Sequence, residues 1–559
     1  MALNKLKGNA GFSHELRKPQ PLLAHSMGIG KAGRSDCGVP GPKISNLRWR
    51  LLQLITIVGA CSCVLACGSI DGPSIDSPVT SVSPTQNPLV AKYFVSSKKG
   101  GQARIEFGIG TSYGRQSAWY SLPPDASGVT ILVAGMKAST TYHMRAQIRS
   151  GGTSWFDKDR LFTTGPLPSI EFPTLVVTRP NSGVLAAAEN PGVELINLTE
   201  PSVGMMQAIV ADRDGNPIWY YDVGADQANL PDPIKLMPNG HILVNIQNGA
   251  TGSTCLREVD LAGQTIRQMN APTLQQKLQT FGHPLNALFF HHDFLPLSNG
   301  HLIVLGSAAQ DFGDLPGYPG STQVIGDLLV DLDQDWNPVW FWSAFDHLDV
   351  NRHLMGLPDW THSNAVVYTP SDGNLLISMR NQSWILKIDY LNGAGSGNVL
   401  WRLGKDGDFT LTGGDPSQWF YAQHFPSLIN TDGSASALAI FDNGNLRILN
   451  ASGTECGSSG PACYSRATIF RIDESTRMAT VEWQDSPGPY SFWGGSINQL
   501  PNKDVEFDMS TPFPGITESR VLEVTQTDMP QTVWQMDIQK GYAYRAYRIP
   551  SLYPSVSWK

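Results

Sequence analysis

One pattern recurs along the chain from about residue 169, and it limits the fold more than any other feature. An acidic turn leads into a strand that closes on a large side chain. It reads DRDGNPIW ending at Trp219, DLAGQTIR ending at Arg267, and DLDQDWNPVW ending at Trp340. It returns as DYLNGAGSGNVLW ending at Trp401, DESTRMATVEW ending at Trp483, and TQTDMPQTVW ending at Trp534. A second element alternates with the first: PNGHILV from Pro238, SNGHLIV from Ser298, SDGNLLI from Ser371. Weaker versions follow at Thr431 and Leu500. The Asn/Asp-Gly pair supplies a tight turn with positive φ, and the apolar run behind it reads as a buried strand. Six such units of roughly 40–80 residues predict an all-β chain built as a six-bladed β-propeller over residues 169–559. Two stacked sandwiches would not repeat in this way.

The rest of the chain divides by composition. Residues 85–168 alternate as strands do, and 135–165 read as the last strands of a small fibronectin III-like or Ig-like β-sandwich. Residues 68–84 are rich in Ser, Pro and Asp and read as a tether. Ahead of them, Arg48, Trp49 and Arg50 precede an apolar run over 51–66, a secretory signal pattern assigned to 48–67. The run ends at Cys67 behind a small residue, which predicts lipidation at Cys67, with Cys61 as the rival and a plain cleaved signal as the bland reading. Residues 1–47 fit no element; Met27 is an alternative start. These features predict export to the periplasm, with a lipid anchor to the membrane. There Cys456 and Cys463, which flank turn residues, are expected to pair. The net charge of −8 gives no footprint for nucleic acid.

The propeller fold does not name a ligand, so the site must be found among particular residues. His241 and His301 each follow an Asn-Gly turn and read as structural. His292, His362 and His424 share another register, each shortly before the turn of its own unit. Equivalent starts of successive inner strands surround one end of the channel, so three imidazoles are expected to converge there. His291 is an alternative to His292. Asn364 and Arg380 lie nearby in sequence, and Asp293 is the one carboxylate beside these histidines along the chain. Three imidazoles with Arg and Asn suit a tetrahedral oxyanion better than a metal, since Arg and Asn are poor metal ligands. Trp360, Trp419, Phe420, Tyr421 and Trp493 are aromatic candidates for an aryl group, with core packing as the commoner role of each. There is no phosphate-binding loop for a nucleotide.

The runs HHDFLPLSNGHLIVL from His291, THSNAVVYTPSDGNLLISMRNQS from Thr361 and QHFPSLI from Gln423 resemble the bacterial arylsulfate sulfotransferase family. So do FDNGN from Phe441 and YRAYRIPSLYP from Tyr544. The resemblance covers 85–559 and implies transfer of a sulfuryl group from a phenolic sulfate to an acceptor phenol, with no cofactor or nucleotide. It implies that His424 is the nucleophile, passing through a sulfohistidine in a ping-pong route. His292, His362 and Arg380 would be the other catalytic groups, with Asn364 and His291 binding substrate. The stretch between Arg380 and His424 is shorter than in some members. Two rival readings use the same residues: a non-enzymatic ligand-binding lipoprotein, and a metal-dependent hydrolase or lyase. A homodimer is allowed for but not specified by any motif.

Overall fold

The computed structural model describes residues 78–558 except 126, 181–189, 200–204, 224–228, 249–250, 458–461 and 511–518. The leader, the signal segment, both lipidation candidates and the first part of the tether therefore lie outside the described residues. What is described is all-β, with 51% strand against 5% helix.

Six antiparallel sheets follow one another from residue 174 onward, and we number them 1 to 6. Sheets 2, 3 and 4 are simple four-stranded meanders. Their first strands are Asn229–Leu236, Phe289–Pro296 and Ser363–Thr369; their fourth are Thr265–Asn270, Pro338–Ser343 and Val399–Leu403. Sheet 5 runs from His424–Leu428 to Met478–Asp485 and adds the two residues Thr410–Leu411 in parallel. Sheets 1 and 6 draw on distant parts of the chain. Tyr542–Ile549 pairs with Val193–Thr199 in sheet 1, and Thr174–Thr178 pairs with Thr532–Gln539 in sheet 6.

The repeat now has a physical meaning. Trp219, Arg267, Trp340, Trp401, Trp483 and Trp534 all sit on the strand that follows the third strand of their sheet's meander. From there most reach a turn of the next sheet. The Trp219 indole donates to Leu261 O at 2.8 Å, Trp340 to Gly395 O at 3.2 Å, and Trp483 to Thr527 O at 3.1 Å. Arg267 does the same toward Gln334 O at 2.5 Å. Between sheets 4 and 5 the direction reverses, and Arg477 of the turn donates to Leu400 O at 3.2 Å. Trp534 of sheet 6 donates to Arg213 O of sheet 1 at 2.9 Å. An indole or guanidinium covers apolar surface with its body and satisfies a turn carbonyl with its tip.

Apolar cores lie between consecutive sheets in the same order. Leu305 and Trp342 meet Ile377 and Leu386 between sheets 3 and 4, and Ile440 and Phe470 meet Leu376 and Leu403 between 4 and 5. Ile196 and Ile209 meet Met536 and Ile538 between 6 and 1. The first strands of neighbouring sheets also lie side by side, from Asn229–Leu236 with Phe289–Pro296 to Ser496–Gln499 with Tyr542–Ile549, and Val193–Thr199, second in sheet 1, lies beside Asn229–Leu236.

Residues 79–163 form two further sheets that share one core, including Tyr93, Val95, Ile105, Phe107, Ile131 and Met144. This core is continuous with that of sheets 1 and 2. The C-terminal segment fastens the two parts: Tyr553 Oη donates to Leu132 O at 2.7 Å, and the Trp558 indole to Gln116 O at 2.9 Å. Gly135 lies so close that a Cβ there would stand 2.3 Å from the Trp558 ring.

The tether needs a correction. Val79–Pro84 is not linker but a strand paired with Ala91–Ser96. Its Ser and Thr residues look like spacer by composition, yet they serve equally well on a half-exposed edge strand, where the Thr80 hydroxyl bonds Asp157.

Candidate active site

The first strands of sheets 3, 4 and 5 are each interrupted by a β-bulge at the same place. The register breaks between Phe290 and Phe294, between Ser363 and Ala365, and between His424 and Ser427. Left-handed backbone marks each one: His292 at φ 51°, His362 at φ 48°, and Ala422 and Phe425 beside His424 at φ 52° and 41°. Such conformations cost energy for residues with a Cβ and gather where side chains must be re-aimed. His424 opens its strand and His362 immediately precedes its own. His292 differs from expectation, standing inside its strand rather than at its start.

The bulges bring the histidines together. The His292 and His362 rings are 4.6 Å apart at 67°. Tyr544, from sheet 1, joins them with its ring 5.4 Å from His292 and 6.0 Å from His424. Its buried hydroxyl has no hydrogen-bond partner among the described residues. Burial raises the pKa of this phenol, against the lowering effect of Arg545, so it stays protonated.

Each imidazole has a different partner, and the differences define what each can do. His424 Nδ1 lies 2.7 Å from Asn443 Oδ1. The Asn443 amide nitrogen donates to Ser491 O at 2.9 Å and Gly494 O at 3.0 Å. Two carbonyls facing the nitrogen leave only the oxygen to face His424. Nδ1 must then carry the hydrogen, and Nε2 is left with its lone pair. Burial, and next the positive charge of Arg380, hold His424 well below the ordinary histidine range, so it is neutral.

His362 Nδ1 lies 2.5 Å from the Asp359 carboxylate. Asp359 is itself held by its chain segment, where Trp360 N and Pro358 O both bond the Ile325 backbone. Burial raises the Asp359 carboxyl, but His362 and Arg380 outweigh it and keep it ionised. His291 is 3% exposed; its Nδ1 lies 2.9 Å from His292 Nδ1 and its Nε2 lies 3.2 Å from Asp327. The structure thus places His292 in the cluster and His291 behind it. The expectation that Asp293 is the one nearby carboxylate is corrected: Asp327 and Asp359 serve the histidines. Asp293 instead binds Lys235 at 2.5 Å and Arg545 at 3.2 Å.

Arg380 is half-buried, donates to Asn381 Oδ1 at 2.8 Å, and makes no ion pair among the described residues. Its spare N–H groups and its charge, which reaches His424, suit an anion. Asn364 is fully buried and donates to Gln423 O at 2.7 Å, so it braces the residue before His424. Arg545 donates to Asn364 O at 2.8 Å and to His292 O at 3.3 Å, tying two of the bulges to sheet 1.

Among the aromatic candidates, Trp360, Trp419, Phe420 and Tyr421 are buried in the cores between sheets. Each fills apolar space between sheets, Trp360 in the layer between sheets 3 and 4 and the other three in the layer between 4 and 5. Trp493 alone stands at the site, stacked on Tyr544 at 6.3 Å and 21°. Cys456 and Cys463 form the expected disulfide. Among the described residues no three His, Cys, Asp or Glu side chains are grouped so as to hold a metal ion.

A family model described as arylsulfotransferase (ASST) matches residues 184–548, which span all six sheets except the strand Thr174–Thr178. The chain belongs to the arylsulfotransferase family. No curated protein matches the chain. Two solved structures show a distant likeness. A point variant of an ACO/RPE65 chimera is 10% identical, with a TM-score of 0.32 over 85% of this chain and 96% of that one. A Bacillus licheniformis rhamnogalacturonan lyase is 11% identical, with a TM-score of 0.26 over 84% of this chain and 74% of that one.

Proposed function

We propose that the protein is an aryl-sulfate sulfotransferase that works by a ping-pong route through His424. The reading includes the architecture: six sheets arranged as propeller blades, with residues 79–163 as a sandwich packed on the first two. The cyclic order of cores and of indole-to-turn bonds supports it. The observation that carries the chemistry is the pinned tautomer of His424, a neutral imidazole with a bare Nε2.

In the first half, Nε2 attacks sulfur, the S–N bond forms and the S–O bond to the aryl group breaks. The departing phenolate takes a proton from His362, whose Nδ1–H is anchored on Asp359. Arg380 and His292 face the sulfuryl oxygens, where negative charge must be offset in the transition state. In the second half an acceptor phenol gives its proton back to His362. Its oxygen attacks sulfur, the S–N bond breaks, and His424 is regenerated. Trp493 and Tyr544 offer faces for the aryl ring. The apolar leader and the Cys456–Cys463 disulfide support an oxidising compartment, the periplasm, as the place of action.

The test is a chromogenic aryl sulfate offered with and without phenol. Release should be stimulated by phenol and insensitive to chelators. His424→Ala should abolish release and the acid-labile sulfuryl adduct together. Full activity in that variant rejects the mechanism, and release by water alone would make the protein a sulfatase.

A further inference from the structure

His291 and His292 are neighbours in one strand, so their side chains should point to opposite faces. The bulge and the left-handed backbone of His292 prevent this and bring the two Nδ1 atoms to 2.9 Å. One of them must carry the shared hydrogen. Behind His291 stands Asp327, fully enclosed, with one carboxylate oxygen 3.2 Å from His291 Nε2. Its other oxygen accepts from Ser363 N at 2.5 Å, so the carboxylate cannot turn away.

We propose that Asp327 and His291 are positioning residues that hold His292 in its Nε2–H tautomer, so that His292 presents a fixed N–H donor to the transferring group. The inference rests on the sulfuryl-transfer reading of the site. With a carboxylate at one ring nitrogen and an imidazole nitrogen at the other, His291 satisfies both neighbours as an imidazolium. Its Nε2–H meets Asp327 as an ion pair at 3.2 Å, off the line of a hydrogen bond, and its Nδ1–H is donated to His292 at 2.9 Å. Burial opposes that charge, but the Asp327 carboxylate overcomes it and raises His291, while burial and the neighbouring imidazoles drive His292 down to the neutral form. His292 accepts at Nδ1 and therefore carries its hydrogen on Nε2. His424, fixed by a neutral amide, has the opposite tautomer. The site thus holds one nucleophilic lone pair and one hydrogen-bond donor built from the same side chain.

Selective 15N labelling of histidine in the full-length protein reads this without any substrate. The His292 signals should show a bare Nδ1 and a protonated Nε2; a protonated Nδ1 overturns the proposal. Two variants test its use, with a chromogenic aryl sulfate and phenol. His291→Asn keeps an N–H donor at the place of Nδ1, and His291→Phe keeps the shape of the ring but has no donor. The Phe variant should lose ~10²–10³-fold in kcat with little change in KM, the usual loss for one oriented donor. The Asn variant should stay within ~10-fold of wild type. A packing role predicts the reverse order, and Phe equal to or better than Asn overturns the proposal. If no aryl sulfate turns over in the wild type, the functional reading falls, while the His292 tautomer still decides the relay.

Discussion

Replacing Asn443 by Asp changes one atom at the side chain that fixes His424, and its effect can be worked from the structure. The new carboxylate would keep one oxygen where Oδ1 lies now, 2.7 Å from Nδ1 of His424, and set the other against the Ser491 and Gly494 carbonyls, so denaturant titration must first show that the variant stays folded. Charge centres ~4 Å apart at an effective dielectric constant of ~20 interact by ~4 kcal/mol. At ~1.4 kcal/mol per unit this raises the His424 pKa by up to ~3 units. In the wild type, burial and the Arg380 charge hold the imidazole well below the ordinary histidine range, so the proposed attack is open across the neutral range. In Asn443→Asp, protonation would reach into that range, and activity would fall as pH drops toward 6. The assay is kcat/KM for aryl sulfate between pH 5 and 9, where the acid limb should move up by at least one unit. Asn443→Ala is the control, since it frees the ring but adds no charge; kcat should drop ~10–100-fold at every pH and the limb should stay in place. An acid limb in Asn443→Asp that coincides with the wild type refutes the argument that this amide governs His424.

Other outcomes follow from the same contacts. Asp359→Asn removes the anchor of His362 and should slow aryl sulfates of poorly leaving phenols most, by ~10²-fold; an unchanged dependence of rate on leaving-group pKa counts against a proton role. Arg545→Met leaves Asp293 with Lys235 alone and frees the His292 and Asn364 carbonyls. Denaturant titration should show a loss of ~3–5 kcal/mol, and a loss below ~1 kcal/mol refutes its bracing role. Burial lifts the Asp232 carboxyl to about 7, so the folded protein keeps a proton that the unfolded chain gives up near 3.8, and this group's penalty grows as pH rises between those values. The stability gained by Asp232→Asn should therefore increase from pH 5 to pH 7 at ~1.4 kcal/mol per unit and then level off; a gain independent of pH contradicts this. Trp534→Phe keeps a ring but removes the indole donor to Arg213 O, leaving that carbonyl to Arg179, and should cost ~1 kcal/mol in thermal or denaturant unfolding.

The repeat made much of this protein legible. Turn motifs such as Asn239-Gly240 and Asp372-Gly373 do lie between the first and second strands of their sheets, and the six closing residues all lie on the fourth. The histidine register was legible for the same reason, since His292, His362 and His424 hold matching positions in successive units and come together with Tyr544. The partners of the histidines were not. Asp327 sits in the third strand of sheet 3, Asn443 beyond the second strand of sheet 5, and Tyr544 in the last strand of the chain, which belongs to sheet 1. No spacing along the chain relates such positions. Asp359 did carry a signal, three residues before His362, but a bulge had to turn the ring back toward it. The aromatic residues failed as markers because the ring that lines a site and the ring that fills a core share one chemistry.

The pairing of Val193 with Ile549, and of Thr174 with Gln539, has a consequence for how the molecule comes into being. During synthesis sheets 2 to 5 can each complete themselves as they emerge, but Thr174–Thr178 and one edge of Val193–Thr199 must wait for partners made more than 300 residues later. Contacts of such long sequence separation form slowly, and they form last. Tyr544 and Arg545 arrive on the same late strand that closes sheet 1. The nascent protein therefore holds its histidines without the residues that frame them, and the site matures only when the chain is joined to its own beginning.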